Sequence, residues 1–136
     1  MLKNVGSFSF EFMGGGKAVV CGYDCEGLPS VLGERPCVAL VGGIVYVRGA
    51  FFRGCCGRSR RIRLEPDDVA YLEAGMETFL SAVGRPELRA VLSDWSEWRK
   101  IHPLTLGEYP SSPSHADGCV PGQGMDTGRH LQRRMP

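Results

Sequence analysis

Histidine is scarce, at 3 in 136 residues, and neither sign of charge dominates: 16 Lys+Arg stand against 15 Asp+Glu, for a formal net charge of +1. A near-neutral chain exerts no bulk electrostatic pull on nucleic acid or on an anionic membrane surface. No apolar run reaches the length of a membrane span, and the opening Met1-Leu2-Lys3-Asn4-Val5-Gly6 holds no signal-peptide core, so the expected location is the cytoplasm. No two cysteines have C-x-x-C spacing. Cys21 and Cys25 are separated by three residues, Cys55 and Cys56 are adjacent, and Cys37 and Cys119 stand alone. These spacings suit neither a zinc site nor an iron–sulfur cluster, and a reducing compartment leaves the thiols free.

Catalytic signatures are missing as well. The nucleophile elbow G-x-S-x-G is absent, and no G-x-G-x-x-G opens a helix. Gly14-Gly15-Gly16-Lys17 has part of a phosphate loop, but Glu11 stands where the first glycine is needed and Ala18 where Ser or Thr is needed. His115 and His130 lie in a C-terminal stretch rich in Pro, Ser, Gly and Arg, and the Ser114-His115-Asp117 cluster joins triad residue types on neighbouring positions that nothing preorganises. His102 precedes Pro103 and reads first as a surface or packing residue; paired with a Ser or Cys it is the core of a small-hydrolase alternative. No catalytic, cofactor-binding or metal-binding residue is assigned.

What the chain does have is glycine, 19 in all, or about twice the average usage of roughly 7%. Met13-Gly14-Gly15-Gly16-Lys17-Ala18-Val19-Val20-Cys21-Gly22 matches Leu40-Val41-Gly42-Gly43-Ile44-Val45-Tyr46-Val47-Arg48-Gly49 at an offset of 27 residues. The shared pattern is apolar-x-Gly-Gly-x-small-x-Val-x-Gly. Alternation puts Ala18 and Val20, like Val45 and Val47, on a core face, with Val19 and Tyr46 opposite. Glycines at both ends let a short strand turn sharply, so the two tracts read as stacked turns of a solenoid; two strands of an antiparallel meander are the alternative. Residues 23–36 between them read as a turn-rich insertion, and Arg60-Arg61-Ile62-Arg63-Leu64 as a last strand with its arginines in solvent. Arg48, Arg53, Arg58, Arg60, Arg61 and Arg63 form the densest basic run, but Phe51 and Phe52 stand to one side of it. It reads as a solvated face or a protein-contact rim, which leaves an Arg-rich protein-binding module as a further alternative.

From Glu65 the period changes to helical. Pro66 suits the first helical position, Asp67 and Asp68 complement the helix dipole, and Val69, Leu72, Met76, Phe79, Leu80 and Val83 share a face before Gly84. A second helix is expected from Pro86 through Leu88, Val91, Leu92 and Trp95, running toward Trp98 and Ile101, where Pro103 stops it. Trp95 and Trp98 are expected to pack this helix on the rungs, or else to anchor a partner. The expected organisation is thus 1–64 β-rungs, 65–109 helical cap and 110–136 flexible tail.

The doubled Gly-Gly-x-small-x-Val-x-Gly motif at 15–22 and 42–49, then a strand, an acidic helix and Phe79-x-x-x-Val83-Gly84, resembles the end of the GXGXG family. That family includes the C-terminal domain of the glutamate synthase large subunit, its stand-alone archaeal-type homologues and one of the subunits of formylmethanofuran dehydrogenase. The resemblance spans about residues 5–109 and is closest to the glutamate synthase branch. It implies a mainly β chain, a right-handed parallel β-helix of few rungs followed by a pair of α-helices. It also implies a non-catalytic structural module of a glutamate synthase-like complex, with no cofactor in this chain. The implied partners are amidotransferase and flavin/iron–sulfur subunits, or a second copy meeting it at an open N-terminal rung. On that reading, apolar groups among Phe8, Phe10, Phe12 and Met13 should be exposed.

Overall fold

A computed structural model describes residues 1–51 and 59–105. Gly14–Val20 (β1) and Gly42–Arg48 (β2) pair in parallel, with Ala18 beside Val45, Val19 beside Tyr46 and Val20 beside Val47, the 27-residue offset of the sequence repeat. The stacking continues outside the strands. The Val5 N–H donates to the Val31 carbonyl at 3.0 Å, Phe8 to Glu34 at 2.8 Å and Phe12 to Val38 at 3.1 Å, while Cys37 donates back to Ser9 at 2.8 Å. Residues 31–40 therefore lie against residues 5–13 and belong to the repeat; the insertion is confined to 23–30. Even the backbone conformation repeats, with left-handed φ at Phe8, Phe10 and Phe12 and again, 27 residues on, at Arg35, Cys37 and Ala39.

Two turns of chain this close leave no room for side chains at the contact. A Cβ on Gly42 would sit 2.4 Å from the Gly14 carbonyl oxygen, and one on Gly33 would sit 2.4 Å from the Gly6 backbone. Gly43 is constrained twice, by a φ of +86° and by the Gly16 carbonyl oxygen 2.7 Å from where its Cβ would be.

The expected right-handed parallel β-helix does not form. The sheet is open, mixed and four-stranded, in the order β1-β2-β4-β3. Trp98–Pro103 (β4) runs antiparallel to β2, with Val45 opposite Ile101, and Ser59–Ile62 (β3) runs antiparallel to β4, with Arg61 opposite Ile101. β4 takes the edge of β2 that a third parallel coil would need, so β1 and β2 are the only parallel strand pair among the described residues. The segment expected to be the last strand is β3, at the far edge of the sheet.

Pro66–Val83 (α1) begins on Pro66 as expected and ends at Gly84, whose φ of 67° supplies the left-handed cap. Its Leu72, Met76 and Leu80 are buried with Val19 of β1 and Tyr46 of β2, so the helix covers one face of the sheet rather than one end of a solenoid. The second helix is only Leu88–Leu92 (α2). A single 3-10 turn over Trp95–Glu97 follows, its start fixed by the Asp94 side chain accepting from the Ser96 N–H at 3.1 Å, and the chain then becomes β4 instead of continuing helical to Ile101. On the opposite face Val20, Val45, Val47 and Ile101 pack on Val31, Leu32, Cys37 and Leu40 of the stacked loops. Both faces are thus buried, which is why β1 and β2 carry Val on both sides rather than a polar alternation. The tail expected at 110–136 lies outside the described residues, as do Phe52, Arg53, Cys55, Cys56 and Arg58. Among the described residues no helix is long and apolar enough to cross a membrane.

Gly42→Ala is expected to lower the unfolding free energy by about 2–3 kcal/mol, because the backbone above it has to move. Gly15→Ala, whose Cβ would meet nothing within 4 Å, should shift it by less than about 0.5 kcal/mol; urea denaturation of the two variants measures the contrast.

Candidate functional site

Two features of the molecule concentrate unusual chemistry or unusual shape. The first is a buried polar cluster beneath the start of α1. Tyr46 on β2 and Lys100 on β4 are cross-strand neighbours, and Asp68, at the third helical position, comes down onto both. The Tyr46 hydroxyl donates to Asp68 Oδ1 at 2.8 Å; Asp68 Oδ2 accepts from Lys100 Nζ at 2.6 Å and from the Glu65 N–H at 2.9 Å. Lys100 Nζ also reaches Glu65 Oε2 at 2.9 Å. Asp68 and Lys100 are only 6% and 8% exposed.

Burial alone would raise the Asp68 carboxyl, but Lys100, the Glu65 amide and the Tyr46 hydroxyl outweigh it and hold the group below the usual carboxylate range. Burial would likewise lower Lys100, and the two carboxylates reverse this and raise it. Burial first, then the Asp68 carboxylate, drives Tyr46 well above the ordinary phenol. The carboxylate stays charged, the ammonium stays charged and the phenol stays neutral. Each is engaged with the others, so the cluster fastens helix to sheet and holds no group in reserve for proton transfer.

Among the described residues, those singled out in the sequence do not come together as a reaction centre. His102 is half-buried on β4, opposite Arg60, with Nδ1 2.9 Å from the Pro103 carbonyl oxygen. Cys21 and Cys25 are free thiols. Burial pushes the Cys21 thiol up to about 11 and raises Cys25, whose Sγ donates to the Tyr23 carbonyl at 3.2 Å; neither is a thiolate at neutral pH. Among the described residues no group of three His, Cys, Asp or Glu could hold a metal ion. Trp98 is fully buried, donating from Nε1 to the Leu92 carbonyl at 3.0 Å, and the Trp95 ring packs 6.0 Å from it, so Trp98 serves the core rather than a partner. Arg60 and Arg61 are exposed on β3, and the Arg61 guanidinium lies 5.3 Å from the Phe51 ring. Ser114, His115, Asp117, Cys119 and His130 lie outside the described residues.

The second feature is a groove of 830 Å³ between the outer edge of β1 and the adjacent flank of α1. The helix supplies Tyr71, Ala74, Gly75, Thr78 and Phe79, and the edge supplies Lys17, Val19 and the N-terminal Met1. Lys17 Nζ lies 3.8 Å from the centre of the Tyr71 ring, a cation–π contact across the groove mouth. In the same turn of chain Phe8 is 51% and Phe12 69% exposed, while Phe10 and Met13 pack into the core. Sequence reasoning missed both the polar cluster and the groove. The cluster unites residues 46, 68 and 100, which no local spacing links, and the groove forms only where the flank of α1 meets the β1 edge.

No protein-family model matches the chain, and no curated protein matches it in sequence.

Asp68→Asn and Lys100→Met should each cost about 3–5 kcal/mol by leaving a buried partner unpaired, with the double variant costing less than their sum. Because the folded Asp68 carboxyl is held low, its contribution is present above the unfolded value of about 4 and fades as pH falls below it. Urea titrations between pH 3 and 7 should show that loss in the parent chain and a flatter profile in Asp68→Asn.

Proposed function

We propose that this chain is a non-catalytic structural module that assembles with other polypeptides. The observation that carries this reading is the β1 side of the sheet, where the Gly14–Ala18 stretch of the edge pairs with no further strand among the described residues and the groove beside α1 opens, together with the exposed Phe8 and Phe12 in the same turn of chain. Surfaces of this kind are costly to leave in water and are ordinarily covered by a partner. The buried ionisable groups, by contrast, are spent on one another in holding α1 to the sheet.

The complex we propose is of the glutamate synthase type, working in the cytoplasm, with amidotransferase and flavin/iron–sulfur subunits as partners and no cofactor in this chain. What supports it is the doubled glycine motif at 15–22 and 42–49, whose two copies pair in parallel at their 27-residue offset. Affinity purification of the tagged chain from its native host, with mass spectrometry of what is retained, should recover glutaminase-type and flavin or iron–sulfur subunits in fixed proportion. Recovery of none of these overturns the assignment of the complex. In parallel, the purified chain should not turn over short acyl esters. Turnover that disappears in His102→Ala would establish the hydrolase alternative instead.

A further inference from the structure

We infer that the free edge of β1 is an acceptor for one more strand, laid down in parallel by a separate polypeptide. This rests on the assembly reading and specifies the surface and the chemistry of what it takes.

The first observation is a set of glycines that no contact among the described residues explains. Gly33, Gly42 and Gly43 must be glycine because the preceding turn of backbone lies on them, at 2.4, 2.4 and 2.7 Å from where a Cβ would sit. One repeat earlier the corresponding positions are Gly6, Gly15 and Gly16, and there a Cβ would meet nothing within 4 Å. Gly16 has a φ of +84° to account for it, but Gly6 and Gly15 have no left-handed φ. Neither conformation nor contact asks for glycine at these two places; an incoming backbone would, as it does one layer below.

The second observation sets the direction. Residues 2 and 3 already lie on this edge: Leu2 N–H donates to the Val19 carbonyl at 2.7 Å, Cys21 N–H to Leu2 at 2.7 Å and Gly22 N–H to Lys3 at 2.8 Å, with Leu2 bridging Val20 in parallel. They occupy the edge beyond Ala18 and, among the described residues, leave Gly14–Ala18 open. A strand continuing the same line runs parallel to β1, its C-terminal end toward Met1.

The third is the groove, which receives the side chains of such a strand. Ala74, Gly75 and Thr78 keep the helix flank low, and Tyr71 and Phe79 supply apolar walls. A strand on the β1 edge would add main-chain hydrogen bonds and put alternate side chains under α1, the same relation that β1 has to β2 and the helix. The occupant is therefore an extended segment with glycine over Gly15 and Gly16, followed by alternating small and β-branched residues. The sequence of β1 itself meets this description, since it fills the equivalent place on β2.

A fluorescein-labelled peptide of residues 13–22 carrying Cys21→Ser is the probe. Titrated with the full chain, it should bind saturably, and Gly15→Ala and Gly15→Val should weaken binding at least tenfold while leaving the urea midpoint of the free protein unchanged. Hydrogen exchange should slow at Gly14–Ala18 when peptide is bound. Absence of binding, equal binding by the Gly15 variants, or protection at β3 instead overturns the proposal. Self-association of the chain that Gly15→Val abolishes would make a second copy the occupant and overturn it too. If the glutaminase and flavin subunits are retained equally by parent and Gly15→Val, the assembly reading stands and the acceptor edge fails. If the peptide binds as expected but those subunits are not retained, the acceptor stands without that complex.

Discussion

The structure depends on two turns of backbone lying in direct contact over residues 5–22 and 31–49. Every other element is arranged around the parallel pair this contact creates. At Gly33 and Gly42 the approach is so close that a single methyl group cannot be inserted. Polar groups brought together in this way are satisfied along the stack, through the β1–β2 ladder and through bonds such as Phe8 to Glu34 and Cys37 to Ser9. The left-handed conformations at Phe8, Phe10 and Phe12 are costly for bulky residues, each of order 1 kcal/mol or more, and persist because the neighbouring turn adopts the same conformation beneath them.

The helix is held by a different force. Its apolar stripe buries Leu72, Met76 and Leu80, but burial of apolar area is indifferent to small rotations. Asp68 supplies the missing direction, because its two oxygens must meet Tyr46, Lys100 and the Glu65 amide together. The same residue thus closes the first turn of the helix and ties β2 to β4. Fixing α1 in this orientation leaves its small-residue flank beside the β1 edge and so creates the groove.

Local features were legible in the sequence and tertiary ones were not. Pro66 and Gly84 mark the ends of α1 because both act through their own backbone, and the offset between the valine tracts predicts their register. The β-helix expectation fails because nothing in either tract says what pairs with the other side of β2. That strand comes from residues 98–103, where Trp98 follows Leu88, Leu92 and Trp95 at helical spacing and hides the switch to alternation. Lys100 obscures it further: a charged residue on a buried face is permitted only by Asp68, 32 positions away in the chain. Residues 31–36 look like part of an insertion because their match to the turn before β1 lies in backbone conformation and in the Gly6/Gly33 spacing rather than in side chains. The catalytic signatures missing from the sequence bear on the site only negatively, and the polar cluster and the groove both arise from contacts between distant elements.

The placement of β4 has a consequence for how the chain is made. Among the described strands it is the last in order yet sits between β2 and β3, so the interior position of the sheet stays vacant until residue 103 has left the ribosome. Until then two strand edges are bare at once, and α1 has Tyr46 to rest on but no ammonium to meet Asp68. A nascent chain stalled or cut before Trp98 would expose sticky edges on both sides of the gap, so shielding during synthesis is built into its topology as a requirement.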